Sequence, residues 1–342
     1  MKYNMKRTVL VTGGGGYIGA HACKALAEAG YEPVTYDNLS YGHREHVLWG
    51  PFEYGDILDR ERLDAVFEKH KPDAVMHFAA FAYVGESVTN PEKYYRNNVA
   101  GSLSILEAMI RHGVKDIVFS STCATYGIPE NLPISEDSPQ KPINPYGRSK
   151  LMVEEMLADF GRAHRLRWIA LRYFNAAGAD EEGDIGEAHD PETHLIPLVL
   201  DAASGKRPSV TVFGTDYDTP DGTCVRDYKH VADLASAHVL ALKAIQEGMA
   251  PRAFNLGNGS GYSVREVIEE AERITGRAIS TEWGARREGD PARLIASATD
   301  AREILGWVSA RPGLNQMVGT AWTWHCKNNL SAAAHLSKDT AS

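Results

Sequence analysis

A tyrosine and a lysine four residues apart, Tyr146 and Lys150, form the clearest chemical pattern in this chain of 342 residues. Pro145 precedes them, and proline favours the first position of a helix, so both side chains should lie on one face at a helix start. A tyrosine hydroxyl has a pKa of about 10 in water. A neighbouring ammonium group stabilises the phenolate and lets the tyrosine act as a base nearer neutral pH. Because solvated helices carry the same spacing without any function, the pair alone does not identify a site.

A hydroxyl-rich segment precedes this pair in the chain. An apolar run typical of a buried strand leads into Ser120, Ser121 and Thr122. A hydroxyl at such a strand end can hydrogen-bond a substrate oxygen, although serine and threonine there also cap their own backbone. Thr122 is therefore a candidate substrate contact if the fold brings it to Tyr146.

A glycine-rich turn near the N-terminus predicts a phosphate-binding site. The apolar run Thr8–Thr12 leads into Gly13, Gly16 and Gly19, and apolar residues then recur at helical spacing. A strand that turns on glycines into a helix presents backbone N–H groups and the positive end of the helix dipole to an anion. The spacing G-x-x-G-x-x-G is a weak signal by itself, because a glycine-rich connector without a ligand has the same pattern.

A carboxylate at the end of the next predicted strand makes this signal more specific. The strand ends at Asp37, about 20 residues after the glycines, where an acid accepts a hydrogen bond from a ribose 2′-hydroxyl. Asp37 would repel a 2′-phosphate, so NAD is favoured over NADP. The sequence thus predicts a bound NAD.

Composition limits the class of protein. The chain has 43% hydrophobic and 24% charged residues, as soluble globular enzymes do. Its net charge of −9 argues against nucleic acid and anionic membranes as partners, and no apolar run approaches the roughly 20 residues of a membrane helix. Four scattered cysteines indicate reduced thiols, which predicts a cytoplasmic protein. His189 and His194 lie in a polar loop; we interpret them as solvated and expect no metal.

Alternating strand and helix patterns predict the fold. The class is α/β: a Rossmann-type doubly wound parallel sheet with a smaller C-terminal α/β substrate domain. We assign residues 1–175 to the cofactor domain, with a return of the chain at about 228–258, and residues 176–327 to the substrate domain. Residues 328–342 lack periodicity and are predicted to be a disordered tail.

Together these segments resemble the extended short-chain dehydrogenase/reductases, and within them the UDP-galactose 4-epimerase (UDP-glucose 4-epimerase) family. The resemblance extends from Thr8 to about His325. It is carried by the stretches Thr12–Gly19, Asp37–Ser40, Val84–Ser87, Asn144–Gly147, Leu171–Asn175, Asp221–Thr223, Val225–Tyr228 and Arg287–Asp290. It implies an NAD-dependent isomerase of nucleotide-sugar metabolism that interconverts UDP-glucose and UDP-galactose through a transient 4-keto sugar. It also implies a homodimer formed through helices 93–112 and 146–164.

The resemblance implies roles for individual residues. Tyr146 is the base, Lys150 orients the nicotinamide ribose, and Thr122 shares the sugar 4-oxygen. The NAD site is completed by Gly13, Gly16, Tyr17, Ile18, Gly19, Asp37, Asn38, Asp56, Ile57, Phe78, Ala79, Asn97 and Tyr173. The UDP-sugar site is formed by Asn175 and Arg226 at the diphosphate, Arg287 and Asp290 over phosphate and ribose, Val212 and Phe213 over uracil, and backbone contacts at Leu195.

Two positions depart from the family pattern. Ala82 stands where some relatives carry a lysine beside the nicotinamide ribose. His194 stands where an asparagine often precedes Leu195, so a side-chain contact to UDP is in doubt there.

Several related activities remain open. Residues 79–84 and 121–127 resemble the UDP-xylose/UDP-arabinose 4-epimerases as much as they resemble the hexose enzymes. A UDP-N-acetylglucosamine 4-epimerase is a further alternative. A dehydratase needs a carboxylate after Thr122, where Cys123 and Ala124 stand. A non-catalytic NAD-binding module usually lacks the tyrosine or the lysine. Counting without gaps from Asp290 puts the residue that limits sugar size at Leu294, or at Arg293 with a slip of one.

Overall fold

The computed structural model describes residues 6–287 and 290–339, and its elements alternate as the sequence predicts. The strands are β1 (Thr8–Thr12), β2 (Glu32–Asp37), β3 (Phe52–Tyr54), β4 (Ala74–His77), β5 (Asp116–Ser120), β6 (Arg167–Arg172), β7 (Asn175–Ala177), β8 (Val210–Phe213), β9 (Val225–Arg226), β10 (Tyr228–His230), β11 (Arg252–Asn255), β12 (Tyr262–Ser263), β13 (Thr281–Gly284) and β14 (Arg293–Leu294). The helices are α1 (Tyr17–Glu28), α2 (Arg60–His70), α3 (Val84–Thr89), α4 (Pro91–Tyr94), α5 (Ser102–Arg111), α6 (Pro145–His164), α7 (Leu195–Ser204), α8 (Val231–Gln246), α9 (Val264–Thr275), α10 (Thr299–Glu303) and α11 (Leu314–Asp339).

Seven parallel strands form the main sheet, in the order β11-β6-β5-β4-β1-β2-β3. Helices α1 and α8 pack on one face of this sheet, and α2, α5 and α6 pack on the other. Each face has its own apolar core. Because both faces are covered, the middle of each central strand is apolar on both sides; Val9, Leu10 and Val11 of β1 are fully buried. The predicted doubly wound fold is confirmed. The strand order reverses between β1 and β4, and ligands of such sheets bind at that point, beyond the carboxyl ends of the strands.

Helix α6, which carries the tyrosine–lysine pair, begins where its local sequence dictates. The Asn144 side chain accepts a hydrogen bond from the Gly147 N–H at 2.8 Å, and Pro145 occupies the first helical position. Such a cap stabilises a helix by about 1 kcal/mol. The cap therefore fixes the first turn, in which Tyr146 lies.

A second, smaller unit packs below the carboxyl edge of the sheet. Helices α7, α9 and α11 enclose an apolar core with β8 and β10, and β9 pairs with β12 and β14. The chain crosses back before completing this unit, since β11 pairs with β6 at the edge of the main sheet.

Two helical regions differ from expectation. The helix predicted over 93–112 is interrupted by a π-helical segment, Tyr95–Gly101, where Gly101 packs against Ile57; a Cβ there would lie 2.4 Å from the Ile57 side chain. Helix α11 continues to Asp339, into the segment from residue 328 onward that is predicted to be disordered. Residues 331–339 include several alanines and leucine, which favour a helix without amphipathic periodicity. Residues 340–342 lie outside the described part. None of the described helices is long and apolar enough to cross a membrane.

Candidate active site

A cleft of about 1100 Å³ runs along the carboxyl edge of the main sheet and between the two units. Most of the predicted site residues line it: Gly13, Gly16, Tyr17, Ile18, Gly19, Asp37, Asn38, Ile57, Phe78, Ala79, Asn97, Thr122, Tyr146, Lys150, Tyr173, Asn175, Arg226, Arg287 and Asp290. Residues far apart in the sequence therefore line one continuous cleft.

The glycine turn leaves its backbone open to a ligand. Gly13 has φ +74°, and a Cβ there would lie 2.6 Å from the Ala79 backbone nitrogen, so strand β1 and the turn after β4 touch at this point. A Cβ at Gly19 would lie 2.1 Å from the Gly13 carbonyl oxygen. Only glycine fits at either position. The first turn of α1 thus reaches the cleft with its N–H groups facing the space that a pyrophosphate requires.

Asp37 closes the far end of this groove. Its two carboxylate oxygens accept hydrogen bonds from the N–H groups of Gly15 and Leu39, at 2.9 and 2.8 Å. Burial raises the pKa of this carboxyl group, and the two N–H groups act against that rise. Each oxygen of an ionised carboxylate accepts more than one hydrogen bond, so both can still bind a ribose diol. These carboxylate acceptors suit the ribose hydroxyls in the adenosine half of NAD.

Asn38 and Asp56 are joined beside this end. The Asn38 amide donates to Asp56 at 2.8 Å, and a second Asp56 oxygen accepts from the Leu58 N–H. Ile57, which follows Asp56 in the chain, lines the cleft, whereas Asp56 does not.

The turn after β4 is held by a residue that sequence reasoning missed. Asn98, next to the predicted Asn97, accepts from the Phe81 N–H and donates to the Phe81 carbonyl, both at 2.9 Å. It also donates to the Ser149 hydroxyl on α6 at 3.1 Å. Asn98 is almost completely buried within the π-helical segment, and a polar residue on the buried face of a predicted helix was the available signal.

Tyr146, Thr122 and Lys150 meet at the centre of the cleft. Tyr146 and Thr122 both line this part of the cleft, and burial raises the pKa of Tyr146 to about 12, against a smaller opposing effect of the Thr122 hydroxyl. The Lys150 ammonium donates to the Ser120 carbonyl at 2.8 Å and lies over the Phe119 ring. Burial lowers the pKa of Lys150 to about 7. The fold therefore brings Tyr146, Thr122 and Lys150 together at one part of the cleft.

A buried ion pair, which was also missed from the sequence, lies next to the segments that carry Thr122 and Tyr146. Arg172 at the end of β6 binds the Glu154 carboxylate of α6 through two nitrogens, and both side chains are less than a tenth exposed. Glu154 also accepts from the Ser121 hydroxyl at 2.5 Å. Breaking such a pair costs about 3–5 kcal/mol because it leaves one charge buried and unpaired. The pair thereby locks the strand end that carries Thr122 to the helix that carries Tyr146.

The opposite end of the cleft carries the arginines. Arg226 pairs with Asp290 and donates to the Val225 carbonyl. Arg287 lies over the Phe213 ring, 4.1 Å from its centroid, and Asn175 donates to the Asp227 carbonyl at 3.3 Å. Glu288 and Gly289 of the same motif lie outside the described residues.

Three predicted contacts are arranged differently. Val212 packs in the core of the smaller unit and is 1% exposed, because successive side chains of β8 point to opposite faces and Val212 shares the inner face with Val210. Its side chain therefore does not form the predicted wall. Phe213 points the other way, beneath Arg287. Leu195 begins α7 and packs against the same core, while Thr193 and His194 reach the cleft.

His189 and His194, predicted to be solvated, lie against carboxylates, and the His194 side chain is 39% exposed. His194 Nδ1 lies 2.7 Å from Glu187 and 3.0 Å from Glu192, and His189 Nδ1 lies 3.1 Å from Glu187. The carboxylates raise the pKa of His194 well above its usual range. The loop that contains them folds back on itself, which the spacing of these residues in the sequence does not reveal.

Comparison with known proteins agrees with this geometry. A profile of the NAD dependent epimerase/dehydratase family matches residues 9–257. The chain is 54% identical to the UDP-glucose 4-epimerase of Rhizobium leguminosarum bv. trifolii, over 94% of this chain and 98% of that protein. The crystal structure of UDP-glucose 4-epimerase from Brucella ovis in complex with NAD is 54% identical and superposes with a TM-score of 0.91, over 93% and 98% of the two chains. That of the Bifidobacterium longum enzyme in complex with NAD⁺ and UDP is 39% identical, with a TM-score of 0.89 over 94% and 99%. The chain belongs to the NAD-dependent epimerase/dehydratase family.

Proposed function

We propose that this protein is a UDP-glucose 4-epimerase that interconverts UDP-glucose and UDP-galactose. The observation that carries the proposal is that Tyr146, Thr122 and Lys150 line the same cleft as the glycine turn and the two arginines. A dinucleotide bound from Gly13 to Asp37 and a UDP group held at Arg226 and Arg287 would both point their reacting ends at these three residues.

We propose the following division of the chain. Residues 1–175, with the returning segment 228–258, bind NAD, and residues 176–327 bind the UDP-sugar. Asn175, Arg226, Arg287 and Asp290 hold the diphosphate and ribose, because a guanidinium group grips phosphate oxygens and stays charged at all working pH values.

The protein's own groups handle the proton of the sugar 4-hydroxyl. Tyr146 Oη takes this proton when the alcohol is oxidised and returns it when the alcohol re-forms. Thr122 Oγ1 hydrogen-bonds the same sugar oxygen and keeps it at Tyr146, while the charge on Lys150 stabilises the phenolate. Bound NAD supplies reversible oxidation at sugar C4, through a 4-keto sugar that turns over in the pocket. Firm binding of UDP and loose binding of the sugar ring are both required.

The alternatives differ in what must fit beside this centre. Cys123 and Ala124 follow Thr122, so the strand end offers no carboxylate for loss of water, which argues against a dehydratase. Pentose and N-acetylated sugars share the chemistry and differ only in size, so their turnover has to be measured.

We also propose that the protein is a cytoplasmic homodimer. All four cysteines are unpaired, as expected in a reducing compartment. Leu103 on α5, within the predicted interface helix 93–112, leaves an apolar side chain 36% exposed. This supports an interface through the predicted helices, and light scattering would test it by measuring the mass of the purified protein.

The test of the proposed function is turnover of UDP-galactose, UDP-xylose and UDP-N-acetylglucosamine side by side, with no added cofactor. We expect UDP-galactose to be converted well, and denaturation of the protein to release NAD rather than NADP. A protein that retains nicotinamide but converts none of the three would be a binding module and not an epimerase.

A further inference from the structure

The loop between β7 and α7 gathers four metal-binding side chains at one point. Glu187, His189, Glu192 and His194 each offer one ligand atom, and these atoms lie within 4.8 Å of one another. The nearest pairs are separated by 2.7, 3.0, 3.1 and 3.9 Å. Both histidines present the same ring atom, Nδ1, to the shared space.

These separations match those of a small tetrahedral site. Zinc binds histidine nitrogen and carboxylate oxygen at about 2.0–2.2 Å, so neighbouring ligands of a tetrahedron lie about 3.3–3.5 Å apart. The observed separations lie on both sides of that value. Shifts of a few tenths of an ångström in flexible side chains would complete the coordination.

We propose that Glu187, His189, Glu192 and His194 bind one divalent transition-metal cation, with zinc the best match. Two carboxylates balance the charge of the cation, and the two imidazoles supply nitrogen ligands once each has lost the Nδ1 proton that it shares with a carboxylate. Magnesium and calcium prefer six or more oxygen ligands, so this donor set does not suit them. The inference does not depend on which sugar the protein converts.

Contacts of the loop with its surroundings indicate what such an ion does. His43 donates to the Ala188 carbonyl at 2.7 Å, and the Trp324 indole donates to the Glu187 carbonyl at 3.2 Å. The loop is thus joined both to the segment after β2 and to α11. An ion held by four protein ligands has no open position for substrate, so its role is structural: it holds this part of the cleft wall in one shape.

A neighbouring tyrosine supplies a second observation. The Tyr83 ring lies 5.9 Å from the His189 ring and 6.4 Å from the His194 ring, and its hydroxyl is buried with no hydrogen-bond partner among the described residues. A polar atom is therefore buried beside the cluster in addition to the four ligand side chains.

The test measures metal binding directly, on tag-free full-length protein stripped with a chelator. Elemental analysis after dialysis against zinc should give one equivalent per chain, and cobalt should give the visible absorption of a four-coordinate ion. Glu187→Gln should weaken binding by at least about tenfold, since it removes one charged ligand. His70→Asn, which changes a histidine in a different carboxylate cluster, should bind as the wild type does. Zinc should also raise the melting temperature of the wild type but not that of Glu187→Gln.

Two outcomes overturn the proposal. Binding that survives Glu187→Gln unchanged would place the ion elsewhere, for example at Cys326. Absence of stoichiometric binding to the wild type at millimolar zinc would mean that the four residues form an ion-pair cluster only. If Glu187→Gln lost its bound cofactor or its folded circular dichroism spectrum, His189→Asn and His194→Asn would be compared in its place.

Discussion

Burial shifts the pKa values of Tyr146 and Lys150 in opposite directions. It raises the pKa of Tyr146 to about 12 and lowers that of Lys150 to about 7, so the site without ligands favours a neutral phenol and weakens the ammonium. The Thr122 hydroxyl works against the rise in the pKa of Tyr146. Proton transfer by Tyr146 near neutral pH therefore requires a bound ligand that lowers this pKa, such as the positive charge of an oxidised nicotinamide.

Replacing Tyr146 tests this dependence. Tyr146→Phe should lower turnover by about 10²–10⁴-fold, because it removes only the proton-transferring group. Affinity for UDP, measured by calorimetry, should stay within twofold or so of the wild type. Tyr31→Phe, which removes a hydroxyl bonded to Gln246 outside the cleft, is the matched control. Near-normal turnover in Tyr146→Phe would disprove its role.

Lys150 predicts a dependence of stability on pH. Its pKa in the folded protein, about 7, lies below the ordinary value of 10.5. Between those values the unfolded chain carries a proton that the folded protein lacks, so stability from this group rises with pH from about 7 to about 10.5 and is constant below 7. Relative to Lys150→Met, the melting temperature of the wild type should therefore increase over that range. Parallel curves for the two proteins would contradict the lowered pKa.

At the scale of elements, two short strands form the substrate end of the cleft. Strands β9 and β14 pair in parallel, with Leu294 opposite Arg226. Leu294 lines the cleft, whereas Arg293 is exposed, so the structure favours Leu294 as the residue that limits sugar size. One pair of strands thus carries both the guanidinium group that we propose binds the diphosphate and an apolar side chain that lines the cleft.

The charge on β9 should control UDP affinity. Arg226→Leu should weaken binding of UDP and raise the KM of the UDP-sugar together by about 10–100-fold, the equivalent of about 1.5–3 kcal/mol for hydrogen bonds to a charged group. The exposed Arg273→Leu, which loses a pair with Glu270 on α9, controls for loss of charge alone. Unchanged UDP affinity in Arg226→Leu would move the diphosphate site elsewhere.

The wall on β14 should control which sugars fit. We expect the wild type to convert UDP-galactose and pentose analogues well and N-acetylhexosamines poorly, since overpacking costs about 1–3 kcal/mol. Leu294→Gly should raise turnover of UDP-N-acetylgalactosamine selectively, as measured against UDP-galactose in the same assay. Equal rates of the wild type on both sugars would show that Leu294 is not the limiting wall.

At the scale of the whole molecule, the predictable features are those fixed by local spacing. The glycine turn, the strand ending at Asp37 and the first turn of α6 each follow from residues close together in the chain. The alternating elements then bring them to one sheet edge, because parallel strands end at the same side.

The features that were missed depend on contacts between distant segments. Glu187 meets His194 only because the loop folds back, and Glu154 meets Arg172 only when α6 packs on β6. The error at Val212 was different in kind, since the alternation of side chains along a strand already separates it from Phe213. The helix beyond residue 328 follows from propensity, which a search for periodicity overlooks.

The central claim is that the configuration at sugar C4 is inverted without loss of the C4 hydrogen to solvent. One measurement tests this claim most directly. UDP-galactose carrying deuterium at C4 is incubated with the purified protein without added NAD, and the product is analysed by NMR and mass spectrometry. The account predicts UDP-glucose with the deuterium still at C4 and none in the water. Deuterium in the solvent, or a product lighter by one water molecule, would contradict it.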